Sequence, residues 1–130
     1  MTQEQKDLLL KDLCGRLPYK VYGNYLNSDG SLSDDELLRR VKIGYHDLIC
    51  ADGRDGMVLD GFLKPYLFPF SSMTIEQREE ERSIKEESYY SFDANENIYT
   101  LQDFYNKNHI DYRGFIEKGL AIDCTNLNIY

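Results

Sequence analysis

Apolar residues recur at helical spacing near the start of the chain. Leu9, Leu10, Leu13, Cys14 and Leu17 form one stripe, with Lys6, Asp7, Lys11 and Asp12 opposite. Thr2 followed by Gln5 has the spacing of a capping box, in which two side chains satisfy orphan backbone donors. The pattern predicts an amphipathic helix over residues 3–14, with Cys14 a core thiol on its apolar face. Gly15 is expected to end it in a left-handed turn, and Pro18 forbids continuation.

Further on the period shortens to two. Val41, Ile43 and Tyr45 alternate with Lys42, Gly44 and His46, the pattern of a strand. Short strands are also expected over 18–22, 47–50, 57–59 and 62–67. Stretches 23–33 and 51–56 are rich in Gly, Asn, Ser and Asp and read as turns. Ser33 and Glu36 again have capping-box spacing, so a helical turn over 34–38 is an open alternative.

Residues 61–74 (GFLKPYLFPFSSMT) concentrate large apolar side chains between two prolines. Pro65 and Pro69 force extended geometry on the residues before them and remove two donors. The segment is therefore expected to lie at a sheet edge or to leave the sheet. Tyr66, Leu67 and Phe70 are expected chiefly as core, since large exposed apolar patches are unusual. In the rival view Phe68 and Phe70 stay exposed as a docking patch. With Tyr89 and Tyr90 they make up the candidate interaction surface.

Thr74 and Gln77 then open a charged helix over 75–87, in which only Ile75 and Ile84 are apolar and Glu81–Lys85 and Arg82–Glu86 pair at i,i+4. Residues 88–97 read as a loop. Residues 76–96 hold eight acids against three bases, so 75–97 is expected as an acidic, mobile insertion. Thr100 caps a short helix over 101–106. Asp111 is expected to cap another over 112–118, ended by Gly119, and residues 120–123 to return as an edge strand before a tail at 125–130. The fold class expected is α+β, one domain over 1–130. It comprises an N-terminal helix, a small antiparallel sheet of SH3-like barrel size and short C-terminal helices.

Composition narrows the function. The net charge is −8, which repels phosphate backbones, so no direct nucleic-acid binding is expected. Three cysteines far apart, without a CxxC, fit free thiols in a reducing cytoplasm. The opening residues carry no signal-peptide pattern, and no run approaches the roughly 20 apolar residues of a membrane span. Of the eleven tyrosines many are expected half-buried at core rims, with a binding face as the alternative for some.

Candidate chemistry is sparse. Asn27, Asp29, Gly30, Leu32, Ser33 and Glu36 match six positions of a calcium-binding loop, but Tyr25 stands where its first carboxylate belongs. A turn with a capping box explains the same letters, and no metal or cofactor is expected. His46 and His109 have no second ligand at metal spacing and no neighbouring nucleophile. Asp52, Asp55 and Asp60 cluster around Asp-Gly turns. No catalytic constellation is recognised.

Three stretches, LLLKDLCGRLPY (8–19), KPYLFPFSSMT (64–74) and YNKNHIDYRGFIEKGLAI (105–122), together resemble a family of short, uncharacterised proteins of gut anaerobic bacteria and their phages. The family pattern more often has Arg where this chain has Phe68, and Gly where it has Lys20. The resemblance implies a bacterial or phage context and no activity. The reading that follows is a non-enzymatic protein-interaction module with an unidentified protein partner. Two alternatives are an acidic nucleic-acid mimic that inhibits a host or phage enzyme, and a metal-dependent hydrolase using His46, Asp52, Asp55 and Asp60. The mimic needs carboxylates in a stripe about 7 Å apart; the hydrolase needs its side chains to meet in a pocket.

Overall fold

Helix α1, Gln3–Arg16, runs two residues past its expected end. Thr2 Oγ1 accepts from the Gln5 N–H at 3.1 Å, and Gln5 Oε1 accepts from the Thr2 N–H at 3.0 Å, as the spacing predicted. Such a cap is worth about 1 kcal/mol. Gly15 does not stop the helix. A 3-10 turn at Leu17–Tyr19, built on Pro18, follows in place of the expected strand, and the left-handed residue is Lys20, at φ 62°. Cys14 is exposed, which corrects its assignment to the core. The buried stripe is Leu9, Asp12, Leu13 and Arg16, spaced i, i+3, i+4, i+7. Two charged members turn that stripe away from Cys14. The structure, a computed structural model, describes residues 1–90 and 100–130, with side chains described for 1–86 and 100–130.

The fold is α+β around a four-stranded mixed sheet. The strands are β1 (Tyr22–Tyr25), β2 (Val41–Lys42), β3 (Leu63–Leu67) and β4 (Ile122–Asp123), in the order β2-β1-β3-β4. β1 is antiparallel to both β2 and β3, whereas β4 runs parallel to β3, so the sheet is neither wholly antiparallel nor closed into a barrel. Residues 23–25, expected as turn, are strand. A Cβ on Gly23 would meet the Lys64 carbonyl oxygen at 2.6 Å, so this glycine marks a close strand approach.

β3 occupies an interior place despite its proline, which corrects the expected edge position. Pro65 pairs with Gly23 on one side, and β4 pairs only with Tyr66 and Leu67 beyond it. The missing N–H therefore falls where no second neighbour asks for it. β2 ends at Lys42, and Tyr45–Asp47 is a 3-10 turn. Neither 47–50 nor 57–59 is a strand: Ile49 and Asp55 form a lone bridge and 57–61 is a turn. This loop folds on itself. Gly56 N–H donates to the Leu48 carbonyl at 2.7 Å, and a Cβ there would lie 2.3 Å from the Asp47 backbone.

Helix α2, Ile75–Tyr90, starts at the predicted Thr74–Gln77 cap and continues past the expected end. It buries Ile84, while Ile75 is exposed, and Lys85 lies 3.5 Å from Glu81. Helix α3, Leu101–Lys107, carries the capping box of Thr100 and Asp103. Residues 112–118 form turns where a helix was expected. Asp111 caps no helix: it accepts from the Phe115 and Ile116 N–H groups at 2.9 and 2.8 Å and ties a turn, because Gly114 at φ 77° breaks the helical path. One core gathers Leu9, Leu13, Val21, Ile43, Leu48, Leu63, Leu67 and Phe115 between α1 and the sheet. A second, of Met73, Ile84, Phe104, Tyr105 and Ile110, fixes α2 to α3.

Candidate functional site

After β3 the chain leaves the sheet at Pro69 and makes a 3-10 turn, Phe70–Ser72. That turn presents Phe70, 44% exposed, which corrects its expected burial. Tyr66 and Leu67 are core, as expected. Phe70 meets Tyr105 edge-on at 5.4 Å, and Tyr105 stacks on Tyr112 at 5.2 Å. The Tyr105 hydroxyl donates to Glu81 at 2.8 Å, and burial followed by that carboxylate raises its pKa. Beside this line lies a groove of about 490 Å³ walled by Pro69, Phe70, Tyr112, Arg113, Ile116 and Glu117.

The groove's basic residue is anchored from below. Arg113 donates to Asp12 Oδ1 at 3.0 Å and lies over the Tyr112 ring at 4.8 Å. Asp12 also accepts from Arg16 Nε at 2.7 Å, and Arg16 donates to the Ile110 carbonyl at 2.7 Å. Asp12 and Arg16 side chains are wholly buried. One carboxylate thus holds two guanidiniums, and the surface arginine is fixed in direction by the helix beneath it. Among the described residues the buried atoms Arg16 Nη1, Asn24 Oδ1, Asn106 Oδ1 and His109 Nδ1 find no hydrogen-bond partner.

A second aromatic cluster sits at the other side of Phe68. Phe68 is half-buried, with its backbone bonded to His109 and Asp111. Its ring touches Tyr130 at 6.0 Å. Tyr130 in turn stacks on His109 and tilts against Tyr22. The Tyr130 hydroxyl accepts from the Tyr22 N–H at 3.0 Å and donates to the Tyr66 carbonyl at 2.8 Å. It bridges β1 and β3 just beyond their last paired residues. Burial pushes the Tyr130 phenol pKa up. Of the four residues proposed from sequence as an interaction surface, Phe70 meets Tyr105, while Phe68 meets Tyr130 by its ring and also packs against the core that holds Tyr105. The Tyr89 and Tyr90 side chains are outside the described residues.

The chemistry weighed from sequence comes together only in part. His46, Asp55 and Asp60 line one open cleft, which Asp52 does not join. Asp55 holds Lys6 at 2.9 Å, raising the lysine's pKa, and Asp52 is bound by Arg54. Asp47, beside His46, accepts from the Gly44 N–H at 2.8 Å. In the calcium-like loop Asp29 accepts from the Ser31 hydroxyl and then from its N–H, which lower its pKa, and Glu36 is 3.9 Å from Arg39. Among the described residues no three His, Cys, Asp or Glu side chains converge as metal ligands. Burial pushes the Cys124 thiol up to about 12, leaving it inert.

On α2 the acids Glu76 and Glu80 share one flank, with Arg78, Arg82 and Lys85 on another. Tyr112, Arg113 and Tyr130 were not singled out in the sequence. Tyr112 and Arg113 lie within the stretch 105–122 that carries the resemblance, and for Tyr130 the signal was the abundance of tyrosine. Among the described residues no helix is long and apolar enough to cross a membrane. The chain matches no protein family, curated protein or solved structure with which it was compared.

Proposed function

We propose that this chain is a non-enzymatic protein-interaction module of bacterial or phage origin, acting in the cytoplasm on a protein partner. The observation that carries the reading is Phe70. It is 44% exposed yet held edge-on by Tyr105. An exposed aromatic ring already fixed by its neighbours loses little conformational entropy on docking. Tyr112 and Arg113 beside it belong to the residue types that dominate binding hot spots, and Arg113 is pre-set by Asp12. Groove and ring together offer a partner an apolar anchor and a cation in fixed relation.

The test is site-specific photo-crosslinking in bacterial lysate, with a photoreactive phenylalanine at position 70 and, as control, at Leu37, which is 84% exposed in a turn that does not line the groove. The expected result is one discrete adduct from position 70 that disappears on Tyr112→Ala. Equal labelling from both positions overturns the reading.

A further inference from the structure

We infer that the slot between Tyr22, Phe68 and His109 is a tyrosine-reading site, filled in cis by Tyr130, that accepts in trans a peptide carrying a tyrosine preceded by acidic residues. This extends the interaction-module reading to a second surface and rests on it.

The slot is built for a phenol. Its two polar contacts are backbone atoms of different strands, the Tyr22 N–H and the Tyr66 carbonyl, and one hydroxyl serves both as acceptor and as donor. A phenylalanine there leaves both without a partner, so the site selects tyrosine by hydrogen bonding rather than by size. The flat wall is His109, whose ring lies 3.6 Å from the Tyr130 ring at 13°. Arg40 closes the rim. Its guanidinium lies 4.0 Å over Tyr22, and its Nε donates to the Ile129 carbonyl at 3.0 Å.

The segment that fills the slot is held mainly at its tip. Residues 125–128 are exposed, and Tyr130 itself keeps 38% of its surface exposed. A cavity of about 330 Å³ remains among Arg39, Arg40, Tyr66, Leu127, Asn128 and Ile129. Two arginines line that space, while the residues crossing it, Leu127 to Ile129, carry no charge. Asn128 is also held at φ 54°, a left-handed geometry that a replacing peptide need not adopt. The cis segment therefore meets the aromatic slot well, but it meets the basic rim through the Ile129 carbonyl on Arg40 and brings no carboxylate side chain to it. A peptide with carboxylates two and three residues before its tyrosine meets both.

The experiment uses the full-length Tyr130→Ala chain, followed by the NMR signals of the His109 ring, which the stacked phenol shifts upfield. Three peptides are titrated: Thr-Asn-Leu-Asn-Ile-Tyr, its acidic version Thr-Asn-Glu-Asp-Ile-Tyr, and the acidic version ending in Phe. The first two are expected to restore the upfield shift, with the acidic one about tenfold tighter at low salt and its advantage lost at about 0.5 M salt. The Phe peptide is expected to bind at least about tenfold more weakly than its tyrosine counterpart. No shift with any peptide at millimolar concentration overturns the proposal, as does equal binding of the Phe and Tyr peptides. Unfolding of Tyr130→Ala also overturns it, by making Tyr130 an irreplaceable core member. None of these outcomes touches crosslinking at position 70, which tests the module reading separately.

Discussion

The ring of His109 lies parallel to that of Tyr130, 3.6 Å away between centroids, with Arg16 charged nearby. Burial, then the Arg16 charge, lowers the His109 pKa to about 4. In the unfolded chain it titrates near 6.5. Between those values the unfolded state binds more protons, so stability rises with pH through the window and is lost as pH falls from about 6.5 to about 4. We expect acidification across it to cost about 2 kcal/mol through this residue alone. His109→Asn, which tolerates the left-handed φ of 58°, should flatten that part of the profile. Urea melts of both proteins at a series of pH values check this; identical slopes would exclude His109 as the titrating group.

Asp12 and Arg16 are a fully buried pair one helical turn apart. Removing one partner strands the other, so Asp12→Ala or Arg16→Ala should each cost about 3–5 kcal/mol. Replacing both by Leu and Met should cost much less, since the desolvation penalty goes with the charges. Chemical denaturation of the wild type, the two single Ala variants and the Asp12→Ala/Arg16→Ala double variant gives the coupling. Additive single effects would mean that the pair is not a unit.

Leu67 and Phe68 are neighbours with opposite surroundings. Leu67 is wholly buried between sheet and core, whereas Phe68 is half-buried against Tyr130. Leu67→Arg should abolish folding. Phe68→Arg should cost no more than about 1 kcal/mol, because a long stem can cover the same ring and carry its charge to solvent. Thermal melts separate the two, and an unfolded Phe68→Arg protein would place that ring in the core.

Lys20 occupies a left-handed conformation at φ 62°, which glycine adopts without steric cost. Lys20→Gly should stabilise by about 0.5–1 kcal/mol, and Lys20→Val should destabilise by at least about 1 kcal/mol. A drop in melting temperature for the glycine variant would show that the lysine side chain contributes more than its backbone strain costs.

What could be read from the sequence divides along physical lines. Three helix starts were legible because caps are local: Thr2 with Gln5, Thr74 with Gln77 and Thr100 with Asp103 all sit at the predicted positions. Strand pairing is not local. The letters around Gly23 and Gly56 signal turns, yet one glycine allows strands to touch and the other lets a loop close on itself. The charged stripe of α1 was hidden for a related reason. Asp12 and Arg16 look like an exposed i,i+4 pair until Ile110 and Arg113 arrive to cover them. Of the candidate site, Phe68 and Phe70 were visible as an aromatic concentration. Tyr130 was assigned to a tail because nothing near it in sequence shows that β1 and β3 leave a gap its hydroxyl fills.

The buried carboxylate of α1 also bears on the order in which the chain acquires structure. Asp12 and its second guanidinium are 101 residues apart, and Arg16 and the carbonyl it binds are 94 apart. A chain emerging from the ribosome can form the first helix early, but it cannot bury that helix's inner face at low cost while those partners are unmade. Closure over such separations is slow. The α1 surface that will become interior therefore stays wetted through most of synthesis, and the 110–113 turn acts as the catch that closes the molecule.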